Sequence, residues 1–165
     1  AQVAYEVFKE MHPRHPKSDY VTYQLGLSLF NQLPSTIDRD LTLAERSILY
    51  FQEVIRSYPD SQHTNEAKGY LQKAQEMLAD KVYYIGNFYF KRGLYGSALS
   101  RYESLVKEFP DSKLTAKTLA LATRSALAVH DREKAVAFYQ SLESNYSDST
   151  EFKKLKNDIG AELGK

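Results

Sequence analysis

The chain has 165 residues, 42% of them hydrophobic and 26% charged, with 22 Lys and Arg against 21 Asp and Glu. That make-up belongs to a folded chain, and a net charge of +1 leaves no strongly basic face for nucleic acid. The absence of cysteine removes disulfides, thiolate chemistry and cysteine-type zinc sites, and no apolar run reaches the roughly 18 residues that a membrane-crossing helix needs.

Seven glycines and five prolines are too few for the many tight turns of an all-β fold. The aromatic content is unusual, with 13 Tyr and 8 Phe but no Trp. Tyrosine combines a large apolar face with a polar tip, so it serves packed helix pairs and recognition surfaces alike.

In chain order, "AQVAYEVFKEM" (1–11) reads as the middle of a helix rather than a signal peptide, with Ala4 and Phe8 on one face and Pro16 beyond it. Pro13 and Pro16 interrupt any helix through His12 and His15. The two histidines therefore do not share a helical face, and their HxxH spacing reads as a turn rather than a metal site. Tyr23, Leu25 and Gly26 begin the next unit, on its first helix. Its partner carries Ser47, Phe51 and Pro59 and arrives about nine residues late, so "QLPSTIDRDLTL" is a loop between the two. Inside it, Asp38-Arg39-Asp40 reads as a loop held by arginine–carboxylate bonds and a helix cap, with partner contact as a second reading. A metal carboxylate pair is disfavoured because Arg39 would oppose a cation.

His63 falls in a loop or a first helical turn. Residues 64–92 carry no proline and only Gly69 and Gly86, which predicts one long helix or two end to end. Val82, Ile85, Gly86 and Tyr89 make one stripe. A glycine inside a helix costs about 0.5–1 kcal/mol relative to alanine, so Gly86 predicts the close approach of another helix. "KRG" at 91–93 ends the segment. Ala98, Tyr102, Leu105, Val106 and Phe109 form the next stripe, Pro110 stops it, and Asp111 and Ser112 are set to cap the following helix. His130-Asp131 marks an inter-helix turn. Ala135, Tyr139 and Leu142 repeat the pattern with Ser147 in place of proline, and from Ser149 a Lys/Glu-rich helix is expected to fray into "GAELGK".

The decisive signal is repetition. "YFQEVIRSYPDSQ" (50–62) and "RYESLVKEFPDSK" (101–113) share two aromatic positions, an apolar pair and Pro-Asp-Ser, 51 residues apart. Gly86, Tyr89, Gly93, Tyr95, Ala98, Tyr102 and Pro110 fall at the small, aromatic and proline positions of a tetratricopeptide repeat. Such a helix-turn-helix unit cannot bury its own face, and stacking buries it. The expected fold is all-α: a tetratricopeptide-repeat helical solenoid of about three full repeats and a partial N-terminal one. Its expected divisions are 1–16 (second helix of a truncated repeat), 17–61 (a repeat with a long loop, 31–43), 62–112 (a long first helix), 113–148 (a degenerate repeat) and 149–165 (a C-terminal helix or tail).

No phosphate loop, dinucleotide motif, zinc-protease motif or nucleophile elbow is present, which predicts neither enzyme nor cofactor site. Candidate binding residues are of two kinds. One step off the core stripe of the first helices lie Tyr20, Tyr23, Leu27 and Phe30, then Tyr83, Asn87, Phe90 and Lys91. These either line an aromatic peptide groove or are covered by neighbouring helices. Arg101 adjoins the core position Tyr102 and must point away from it, and arginine is favoured at interfaces for its bidentate fork. Arg92 and Tyr95, at the adjoining turn, are further candidates for partner contact.

"HPRHPKSDYVTYQLGL" (12–27), "DRD" (38–40), "YFQEVIRSYPDSQHTNEAKGYL" (50–71) and "YYIGNFYFKRGLYGSALSRYESLVKEFPDS" (83–112) together resemble the BamD (ComL) family. These are tetratricopeptide lipoproteins of the outer-membrane β-barrel assembly machine. The resemblance implies that this chain corresponds to a C-terminal portion, beginning near the second helix of the second repeat. The N-terminal repeats and the lipidated cysteine of such proteins would lie ahead of it. It implies a non-enzymatic scaffold at the periplasmic face of the outer membrane. Its partners would be the POTRA domains of the barrel subunit BamA, smaller lipoproteins and unfolded outer-membrane protein segments. It also implies that the arginine in "Ser100-Arg101" lies at the contact with BamA.

Overall fold

The computed structural model describes residues 2–36 and 40–163, and all regular structure among them is helical. The helices are α1 Gln2–Met11, α2 Ser18–Phe30, α3 Thr42–Ser57, α4 Thr64–Lys91, α5 Tyr95–Glu108, α6 Thr115–Ala128, α7 Arg132–Tyr146 and α8 Thr150–Leu163. The chain divides into two compact units, residues 1–78 and 79–165.

In the first unit α2 and α3 form a helical hairpin. The contact depends on a missing side chain: a Cβ on Gly26 would stand 2.7 Å from Cε1 of Phe51. Phe51 is fully buried and stacks on Tyr70 with ring centroids 5.7 Å apart, while Phe30 and Tyr23 close the same cluster edge-on or tilted. Offset and edge-to-face pairs of this kind add to the burial they accompany. The first helix is attached more loosely. Lys9 pairs with Glu53 at 2.5 Å and Arg46 with Glu6 at 3.3 Å, and Val3, Val7 and Met11 stay exposed at helical spacing.

The second unit repeats the device. A Cβ on Gly86 would stand 2.6 Å from Cε1 of Tyr102, the largest fully buried side chain. Ala98, Leu119, Ala122, Ala126, Ala135, Tyr139 and Leu142 continue this core, and Phe152, Leu155 and Leu163 of α8 complete it. Gly93 ends α4 in the left-handed region at φ 72°, and Asp131 caps α7 by accepting from the Lys134 N–H at 3.1 Å.

The repeated Pro-Asp-Ser folds the same way twice. The Ser61 and Ser112 amides donate to the Tyr58 and Phe109 carbonyls at 3.0 and 3.1 Å. Each serine hydroxyl then accepts from a backbone N–H two residues on, His63 and Leu114, at 3.2 Å in both turns. The Thr64 and Thr115 hydroxyls close the turns by donating back to the Tyr58 and Phe109 carbonyls at 2.9 and 3.3 Å. Ser112 therefore shapes the turn, whereas the residue ahead of α6 is Leu114, with no side-chain cap.

Two expectations resolve or change. The segment from 64 is one helix, α4, running unbroken for 28 residues to Lys91. The C-terminal segment does not fray at Gly160: α8 continues to Leu163, which is 5% exposed. Its apolar stripe pins it to the core, and a Cβ at Gly160 would come within 3.1 Å of the Tyr139 hydroxyl, so glycine makes room for that ring.

Candidate partner-binding surface

The groove residues of the first unit separate by burial. Tyr23 is 4% exposed, donates its hydroxyl to Glu66 at 2.8 Å and stacks on His63 at 4.8 Å. Burial, followed by the Glu66 carboxylate, pushes its ionisation well above the ordinary phenol range. Tyr23 is thus a core residue, covered by its neighbours rather than lining an open groove. Phe30 is half-buried, edge-on to Tyr70 at 5.2 Å. Tyr20 is 38% exposed and packs near-perpendicular to the Tyr5 ring and tilted against that of His63.

In the second unit Tyr83 is half-buried beneath the Lys117 ammonium, 5.4 Å from the ring centroid. Asn87 accepts a 2.8 Å hydrogen bond from the Tyr102 hydroxyl, so its carbonyl is committed to the fold. Phe90 leans edge-on against Tyr95 at 5.3 Å and packs on the core, whereas Lys91 is exposed at the end of α4. Sequence spacing sets Asn87 and Phe90 one step off the stripe, but it does not show that the second helix reaches that step.

Arg101 lies on α5 directly before the fully buried Tyr102, and it is exposed. It forms no ion pair among the described residues. Its backbone is fixed by a core aromatic while its guanidinium is free to meet a carboxylate. Arg92 is engaged differently: its guanidinium lies 3.5 Å over the Phe88 ring, a cation–π contact at the end of α4. Tyr95, the first residue of α5, is half-buried against Phe90.

Sequence reasoning passes over Tyr84, Phe88 and Leu94, which are 54%, 45% and 50% exposed. Tyr84 and Phe88 stand one turn apart on α4, opposite Gly86. The face opposite that glycine is the signal that could have found them. Of the loop motif, Asp38 and Arg39 lie outside the described residues. Asp40 accepts from the Thr42 amide at 2.9 Å and from its hydroxyl at 2.6 Å, shaping the entry to α3. His12 and His15 gather around the Phe8 ring, and no group of three or more metal-ligating side chains occurs among the described residues.

Helical hairpins locked by a glycine beneath an aromatic, joined by recurring Pro-Asp-Ser turns, define a helical-repeat protein of the tetratricopeptide kind. The family described as "YfiO: Outer membrane lipoprotein" matches residues 1–140, and the chain belongs to that family. Relatives bearing the name outer membrane protein assembly factor BamD include that of Neisseria gonorrhoeae, 26% identical over 158 residues, covering 90% of this chain and 59% of the relative. The Vibrio cholerae protein of the same name is 26% identical over 125 residues (70% of this chain, 52% of the relative). That of Caulobacter vibrioides is 23% identical over 128 residues (78% and 42%). The chain therefore spans about three-fifths of the length of the Neisseria relative. No helix among the described residues is long and apolar enough to cross a membrane.

Proposed function

We propose that the chain is a non-enzymatic scaffold in outer-membrane β-barrel protein assembly. In this reading it docks on the periplasmic POTRA domains of BamA, and on accessory lipoproteins, at the periplasmic face of the outer membrane. The names of its relatives support the assembly role. The observation that carries the docking site is Arg101, an exposed arginine whose neighbour Tyr102 is fully buried. A guanidinium mounted on a rigid helix adds no backbone ordering cost on pairing and offers a bidentate fork to a carboxylate. Arg92 and Tyr95 sit at the turn leading into the same helix and extend the contact. The mechanism is geometric: stacked helices hold partner domains in register.

A general peptide adaptor working through an aromatic groove has less support, because Tyr23 and Asn87 are already used inside the fold.

Titration calorimetry of the chain against the POTRA tandem of its own BamA tests the reading. Arg101→Glu should weaken binding about tenfold, roughly 1.4 kcal/mol, while circular dichroism stays unchanged. Binding indifferent to the reversal would move the site elsewhere on the surface. No binding by the folded chain would overturn the docking role.

A further inference from the structure

A cleft of about 210 Å³ opens between α6 and α8 in the second unit. Lys117, Ala120, Leu121 and Arg124 form its α6 wall. Their spacing of three, one and three residues sets them on one helical face, distinct from the face that buries Leu119, Ala122 and Ala126. The α8 wall presents Glu151 and Lys154 above Leu155. Ala120, Leu121 and Leu155 thus make an apolar floor, and cations stand on both rims.

We propose that this cleft is a docking site for an acidic, apolar peptide segment of a partner protein: an extended stretch with an aliphatic or aromatic side chain flanked by carboxylates. Four observations select that occupant. The volume is below the roughly 300–1,000 Å³ of small-molecule pockets and suits one or two side chains on an apolar floor. Lys117, Arg124 and Lys154 line the cleft with Glu151, and with Asp158 paired to Arg124 the local balance is still positive. Two of these cations are held in place, Lys117 over the Tyr83 ring and Arg124 by its ion pair with Asp158. Lys154 is exposed and forms no ion pair among the described residues, so it is available to a carboxylate from outside.

The inference goes beyond the scaffold reading and does not rest on it. Arg101 plays no part in the cleft. The family match covers residues 1–140, which include the α6 wall.

Fluorescence anisotropy with the whole chain and a short fluorescein-labelled peptide of alternating Glu and Leu tests the proposal. The comparison peptide carries Lys in place of each Glu. The acidic peptide should bind, and the basic one at least about tenfold more weakly. Lys117→Glu and Lys154→Glu should each weaken binding of the acidic peptide about fivefold to tenfold, and added salt should weaken it further. Leu121→Gln should weaken it without changing the salt dependence. Lys153→Glu makes the same charge change on the same helix outside the cleft, and should leave binding intact. Equal losses at Lys153 and Lys154, equal binding of the two peptides, or no binding would each overturn the proposal. So would a concentration-dependent dimer in sedimentation that Lys154→Glu dissolves, because the occupant would then be a second copy of the chain.

Discussion

Gly26 and Gly86 occupy space that no side chain can share. A methyl group at either would lie well inside contact distance of the Phe51 or Tyr102 ring. Alanine gains up to about 1 kcal/mol over glycine as a helix former, but overpacking a tight core costs about 1–3 kcal/mol. Gly26→Ala and Gly86→Ala should therefore lower stability in urea unfolding by about 1–2 kcal/mol. Gly69 is the internal control. It lies within α4, and a methyl placed on it would meet nothing within 4 Å, so Gly69→Ala should stabilise by about 0.5–1 kcal/mol. Gly86 declares its role in the sequence because a glycine inside a helix demands a reason. The identity of its neighbour, and the hydrogen bond from Tyr102 to Asn87, do not show there, because both depend on how α5 crosses α4. Acid sensitivity belongs to this scale too. The Ser61 hydroxyl, 2.6 Å from Asp19, holds that carboxyl below its ordinary range. A lowered folded-state value means that the contribution is whole above the ordinary carboxylate range and fades as pH falls through the lowered value. Ser61→Ala should flatten the loss of stability with acid in that window, as followed by helical circular dichroism.

Among the elements, α7 begins at a side-chain cap and α6 does not. Asp131→Ala removes the acceptor for the Lys134 amide and should cost about 1 kcal/mol in denaturant unfolding. Stripes and stops are readable wherever proline or glycine punctuates the chain, as at Pro59, Gly93 and Pro110. Between Thr64 and Lys91 no proline intervenes, so one helix and two end-to-end helices look alike in sequence; the fold takes the single helix. The α8 segment departs from its expectation for a related reason. Its lysines and Gly160 suggest fraying, but Phe152, Leu155 and Leu163 recur at helical spacing and Gly160 admits the Tyr139 hydroxyl. Local composition speaks against the helix and tertiary burial overrides it.

At the scale of the whole molecule, the phenols form two populations. Burial, and then the charge of Tyr83, keeps the Tyr102 hydroxyl neutral far above the ordinary phenol range, and burial raises Tyr23 and Tyr139 as well. A value raised by folding means stability that is full below about pH 10 and lost as pH rises further, because ionisation is easier in the unfolded chain. In an alkaline titration, tyrosinate absorbance is followed together with helical circular dichroism to read the buried phenols of Tyr23, Tyr102 and Tyr139. The buried ones should ionise only together with the loss of helical signal. A single phase without unfolding would contradict the burial described for Tyr102. The same division explains why the candidate surface is only partly legible in the sequence. Aromatic abundance is plain from composition, but core tyrosine and surface tyrosine carry the same letter, and only the crossing of helices tells Tyr23 from Tyr84.

The two glycine–aromatic locks differ in one respect: 25 residues separate Gly26 from Phe51, and 16 separate Gly86 from Tyr102. The same contact thus forms across connections of unequal length, as expected when closing a longer loop adds only fractions of a kcal/mol. The first hairpin is therefore a natural grafting port. Ser35 and Thr36 are both exposed, and a tag, a fluorophore-binding peptide or a small domain spliced between them would leave the lock closed. Lineages could lengthen or rewrite that connection to suit new neighbours without reinventing the fold around it.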